Sequence, residues 1–155
     1  QGSGAVMPTI QTKISQAIQA RVATCLPAYP KVWTDGEVTE LPTAGNQPAP
    51  YIEAHHEPNR TVRHFIGSND PHEYPGLLLL TLCWPLAKVG AGSGKTHPNA
   101  VKEIAGQVAQ HFPADLPMDF EGVRVRVTAA SSVLGAYRDD AYLRVQVRVT
   151  YTCFA

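Results

Sequence analysis

No apolar run in this chain approaches a membrane span. The longest, Leu77 to Leu80, falls far short of the ~20 residues that a bilayer-crossing helix needs, and no membrane partner is expected. Net charge is absent as well. Thirteen basic and 13 acidic side chains cancel, so no global field draws the protein toward nucleic acid or a lipid surface. Cysteine is scarce. Cys25, Cys83 and Cys153 are odd in number, widely spaced and set among apolar residues, which predicts buried thiols rather than a disulfide framework or a zinc site. Internal repeats are lacking, and the start has no secretory signal pattern. Gln1 to Val6 reads as the remnant of a purification tag with the natural start at Met7, leaving 7–155 as one expected domain.

Catalytic patterns are equally sparse. Ser131-Ser132 lacks the glycine-flanked elbow of a serine nucleophile, and no cysteine has a local activating partner. Glu53, His55 and Glu57 share one face of a predicted strand, but a single row of side chains needs further ligands from elsewhere to hold a metal. His64, His72, His97 and His111 fall in separate segments without metal-ligand spacing.

One stretch does suggest a nucleotide site. An apolar strand, Leu77 to Trp84, leads to Gly90-Ala-Gly-Ser-Gly-Lys-Thr96 and then to a helix. A phosphate-binding loop needs four residues between its first glycine and Gly-Lys-Ser/Thr, so that backbone N–H groups curl around one phosphate. Gly90 and Gly94 enclose only three, and Val89 stands where the pattern requires glycine. Pro98 suits a first helical position, so the helix is expected to begin after Lys95 and Thr96 rather than to carry them in its first turn. The segment therefore reads as a flexible loop.

Periodicity supplies the architecture. Ile10, Ile14, Ile18 and Val22 recur behind an N-cap at Thr9, predicting an amphipathic helix stopped by Pro27 and Pro30. Strands are predicted at Lys31 to Thr34, Tyr51 to Glu57 and Thr61 to Ile66, with an exposed loop at Pro42 to Pro50 and a turn-rich link from Gly67 to Gly76. Leu77 to Trp84 is apolar on both faces, the pattern of a central strand. Val101, Ile104, Ala105, Val108 and Phe112 mark one face of a helix over Pro98 to Phe112. Alternation then predicts two half-buried strands, Val123 to Val127 and Leu143 to Tyr151, joined by a hairpin tip or arm from Ala129 to Ala141. The order gives an α+β domain: a largely antiparallel or mixed sheet, two helices on one face, and a projecting hairpin or arm. The other face needs a cover, from the arm or from another subunit. Arg124, Arg126, Arg144 and Arg148 form a candidate basic face across neighbouring strands, against which Glu121, Asp139 and Asp140 weigh.

The whole pattern resembles the tail terminator proteins of long non-contractile-tailed bacteriophages, the minor tail protein U-like group of virions and prophages. The resemblance runs from about Ile10 to Thr152, through Arg21-Val-Ala, Pro50-Tyr51-Ile52, His56-Glu-Pro-Asn-Arg-Thr61, Gly76-Leu-Leu-Leu-Leu80, the glycine loop, His111-Phe-Pro113, Val123-Arg-Val-Arg-Val127 and Tyr142-Leu-Arg-Val-Gln-Val. It implies a structural subunit and not an enzyme, without cofactor or metal. Such subunits form a ring, usually a hexamer, at the head-proximal end of the virion's tail tube, made in the host cytoplasm. The expected partners are further copies, the major tail tube protein and a head-tail connector or neck protein, with passing contact to phage DNA. Contacts are expected on the two loops: Val89, Gly90, Gly92, Gly94 and Lys95, and Ser131, Ser132, Tyr137, Arg138, Asp139 and Asp140. The competing readings are a neck or head-completion protein, a small nucleotide-binding enzyme and a DNA-contacting adaptor.

Overall fold

The computed structural model describes residues 9–36, 41–139 and 141–155; the expected tag remnant at 1–6 and Asp140 lie outside that range. Helix α1 covers Ile10–Thr24, with Thr9 as its N-cap accepting from the Thr12 amide and Ile14, Ala17, Ile18 and Val22 buried. Helix α2 covers Pro98–Gln110 and buries Val101, Ala105 and Val108. Pro98 stands in its first turn, and the imidazole of His97 caps it by accepting from Asn99 N–H at 3.1 Å.

The strands in chain order are β1 (Lys31–Trp33), β2 (Thr43–Ala44), β3 (Gln47–Pro48), β4 (Tyr51–Pro58), β5 (Gly76–Pro85), β6 (Pro117–Phe120), β7 (Val123–Val127), β8 (Ser132–Val133), β9 (Tyr137–Asp139) and β10 (Tyr142–Cys153). Among the described residues the main sheet runs β1-β4-β5-β10-β7-β6. Only β1 is parallel to its neighbour; the rest pair antiparallel, so the fold is α+β with two helices on one face of a mixed sheet. The loop at 42–50 contains the small β2-β3 hairpin.

The longest strand, β10, pairs with the whole of β5, from Tyr142 opposite Pro85 to Tyr151 opposite Gly76. Its other edge is shared in sequence by β9, β8 and β7. The segment expected as a projecting arm therefore closes a hairpin through β9 and follows the edge of β10, with its side chains still largely exposed. Edge pairing gives its backbone groups partners that a free arm would have to find in water.

Side-chain parity sorts the core. Leu78, Leu80, Leu82 and Trp84 of β5, with Leu143, Val145, Val147, Val149 and Tyr151 of β10, pack under the helices. α1 lies over β6 and β7, and α2 over β10 and β5. The three cysteines are buried and free.

The strand expected over Thr61 to Ile66 does not form. Only Val62 bridges, to Glu73, and the chain then turns. The Arg63 guanidinium donates to the carbonyls of Phe65 and Ile66, and Asp70 Oδ2 accepts the Gly67 amide at 2.9 Å. These local bonds favour a turn where strand propensity alone favours an extended chain.

Candidate assembly surfaces

The glycine loop is closed at its base. Gly90 N–H donates to Thr96 O at 2.9 Å and Thr96 N–H to Lys88 O at 2.7 Å, while Val89 bridges Thr96. Gly90 and Gly94 take positive φ, at 149° and 77°, a region that side-chain-bearing residues avoid. The Lys95 stem packs back near Gly90 and Gly92. Lys95 and Thr96 precede α2, as the position of Pro98 predicts, and do not present its N-terminus to a phosphate.

On the second loop, Ser131 Oγ donates to Phe112 O at 2.8 Å and anchors the segment to the exit of α2. Register places Ser132 beside Arg148, Tyr137 beside Arg144 and Asp139 beside Tyr142. All three belong to the face of the sheet opposite the helices, and Arg138 alternates to the other side.

That outer face carries all four arginines, but not as a uniform basic field. Arg124 forms a two-point pair with Asp119, at 2.7 and 3.1 Å. Arg144, its side chain 15% exposed, lies 3.7 Å from Glu53 and 3.1 Å from Asp139. Its guanidinium also contacts Cys83 Sγ at 3.3 Å and sits 5.9 Å from the Tyr142 ring centroid. The Asp139 contact is close without being well aligned, and the buried Nε has no hydrogen-bond partner. Around this cation Tyr51, Cys83 and Tyr142 form a small second core, with the two tyrosine rings edge to face at 5.6 Å. Burial pushes the Tyr51 hydroxyl well above its ordinary range. Burial likewise raises the thiol pKa values of Cys25, Cys83 and Cys153, keeping all three protonated and poorly nucleophilic. Arg126 and Arg148 have no charged partner among the described residues.

Glu53, His55 and Glu57 share the outer face along β4, where His55 Nδ1 meets Thr34 Oγ1 at 2.6 Å. His56 points the other way, between Ser15 Oγ at 3.3 Å and Tyr151 Oη at 2.5 Å, and burial lowers its pKa. His64 pairs with Glu73, and His111 lies at the α1-α2 junction. No group of three or more His, Cys, Asp or Glu among the described residues is placed to hold a metal ion, and no helix there is long and apolar enough to cross a membrane.

A fourth surface was missed by periodicity. The β4-β5 connection extends past the sheet as Asn59 pairs with Pro75, Val62 with Glu73, and Glu73 with Phe154. Its tip exposes Phe65 (49%) and Ile66 (95%), with Phe154 (54%) at its base. An apolar pair set directly before Gly67-Ser-Asn-Asp-Pro71 was the signal available in sequence; strand propensity obscured it.

The sequence profile of the phage tail terminator protein family matches residues 13–151. The chain belongs to that family. It is a structural component of a phage tail, and its family role is in the virion among other tail and head components. Similarity to solved structures supports the fold independently. Among twelve matching solved chains, one is 24% identical, with a TM-score of 0.66 over 92% of this terminator-family chain and 94% of its own; its name states no activity. No curated protein matches.

Proposed function

We propose that this tail terminator forms a closed ring, a hexamer, on the head-proximal end of the tail tube, where it stops tube growth and forms the joint to the head. Family membership over residues 13–151 carries the reading. A tube grows because each ring offers its upper surface to the next, a heterologous contact that does not close along the axis. A terminator matches that surface on one side and presents a different one on the other. The unlike faces of this domain, one covered by helices and one by charged and apolar side chains, support that role.

In this reading the loop bearing Val89, Gly90, Gly92, Gly94 and Lys95 and the segment bearing Ser131, Ser132, Tyr137, Arg138, Asp139 and Asp140 supply subunit and tube contacts. The arginine face serves assembly, with transient DNA contact at most. Deleting the gene in the phage is expected to leave filled heads and abnormally long, headless tails, scored by electron microscopy. Tails of normal length that still join heads would refute the proposal. Heads leaking DNA beside normal tails would indicate a neck protein instead.

A further inference from the structure

Phe65 and Ile66 are exposed at the end of an ordered projection rather than on a slack loop. Arg63 holds the carbonyls behind them, and Asp70 closes the turn beside them. The backbone ladder through Val62, Glu73 and Phe154 carries this tip beyond the end of β5. Ordered presentation lowers the entropy cost of docking, and the adjacent exposed Phe65 and Ile66 make a small contiguous apolar patch rather than one scattered side chain.

The same chain carries a complementary recess. Beside Leu77 on the outer face lies a depression of about 430 Å³, lined by Pro58, Gly76, Leu77, Arg148 and Thr150 and bounded by Glu57. Its volume falls within the ~300–1,000 Å³ of ordinary binding pockets. Its floor is partly apolar, and Arg148 at its rim has no hydrogen-bond or charged partner among the described residues. The tip offers Asp70, which also holds the Gly67 amide, next to its apolar pair, so an apolar group with a carboxylate beside it meets Leu77 with Arg148 beside it, on the side of the depression away from Glu57. Within one chain the paired hairpin leads the tip away from Gly76, and no tip residue lines the depression.

We infer that the Phe65-Ile66 tip docks into the Leu77-Arg148 depression of a second copy of this chain. Two different patches that fit one another make a heterologous contact, which closes into a ring when the rotation permits. The inference rests on the ring reading above and names the contact that builds it.

The test uses the full chain, with self-association measured by sedimentation over a wide concentration range. Ile66→Asp is expected to retain the wild-type circular dichroism and melting temperature and to weaken self-association about 100-fold, as for an interface hot spot. Arg148→Glu and Leu77→Gln, each checked for folding in the same way, should weaken it from the other side. Mixing the Ile66→Asp chain with an Arg148→Glu chain leaves one intact tip and one intact depression, so a 1:1 dimer is expected with no larger species. Undiminished association of Ile66→Asp, a mixture that stays monomeric, or wild-type chain that is monomeric at every concentration would each overturn the inference. Rings that persist in Ile66→Asp would remove this contact while leaving the terminator role intact. Normal tails in the gene deletion would remove the role without bearing on the self-association data.

Discussion

Tyr151 meets two constraints at once. Its ring lies directly across from Gly76, where an added Cβ would come within 2.1 Å of the hydroxyl oxygen, and that oxygen also meets His56 Nε2. Gly76→Ala is therefore expected to destabilise the fold by about 1–3 kcal/mol, the usual cost of overpacking, read as a lowered denaturant midpoint with unchanged slope. Burial also pushes the Tyr151 hydroxyl pKa up to about 12, so it stays protonated throughout the neutral range. His56 faces Ser15 and Tyr151. Burial lowers its pKa below 6.5 and outweighs the opposing field of Asp35, while His55 lowers it further. The unfolded chain thus takes up the proton more readily. The stability that His56 contributes is complete above pH 6.5 and is lost as pH falls through the depressed folded value. His111, lowered chiefly by burial, adds to the same trend. Urea unfolding at a series of pH values should show falling stability below pH 6.5. His56→Gln should flatten part of that fall, and an unchanged slope would contradict the assignment.

Elements are joined by few polar ties, which makes those ties informative. Arg21 near the end of α1 donates to His111 O at the end of α2, through Nη2 at 2.7 Å and Nε at 3.2 Å. This carbonyl lies at a helix C-terminus, where acceptors lack intrahelical donors. Arg21→Ala is expected to cost about 1–2 kcal/mol, within the range for losing a charge-assisted bond, with early hydrogen exchange at the last turns of both helices. The β9 segment presents a contrast. Tyr137 and Arg138 are exposed and hold no part of the core, so a Tyr137→Ala/Arg138→Ala double variant should keep its melting temperature within a degree or two and assemble less well. A large loss of thermal stability would instead make β9 a structural strap.

Charge at the scale of the whole molecule is balanced in total and, on the outer face, answered at two of the four arginines. Asp119 answers Arg124, and Glu53 with Asp139 answers Arg144, leaving Arg126 and Arg148. Nucleic-acid affinity grows with the number of phosphates neutralised and falls steeply with salt. Two unpaired arginines on a neutral protein are a poor phosphate track, so duplex DNA should bind weakly or not at all at physiological salt. A tight isotherm with a steep salt dependence, abolished by Arg126→Ala/Arg148→Ala, would show the outer face to be a DNA surface.

The sequence by itself determined the two helices and the strands β1, β4, β5, β7 and β10, and which faces of the helices and long strands are buried, whereas β6, β8 and β9 form only by pairing with β7 and β10. The four-residue spacing of Ile10 to Val22, the proline at the start of α2 and the alternation of Leu143 to Tyr151 each encode a local period, and burial follows it. Alternation also placed the four arginines on one side. Asp139 was legible as a counter-charge and does lie against Arg144, but Glu53 was not, because it meets Arg144 only through the register of β4 on β5 and β5 on β10, which joins residues far apart in the chain. Register is a non-local choice: a one-residue slip would turn every side chain to the opposite face. The tip at Phe65 and Ile66 was misread for a related reason. A β-prone apolar pair extends into a strand only if a partner strand lies alongside, and here the local bonds of Arg63 and Asp70 turn the chain away first. Local periods therefore decided the helices, the long strands and the core, while tertiary pairing decided the short edge strands, the Glu53–Arg144 contact and which apolar side chains are left facing outward.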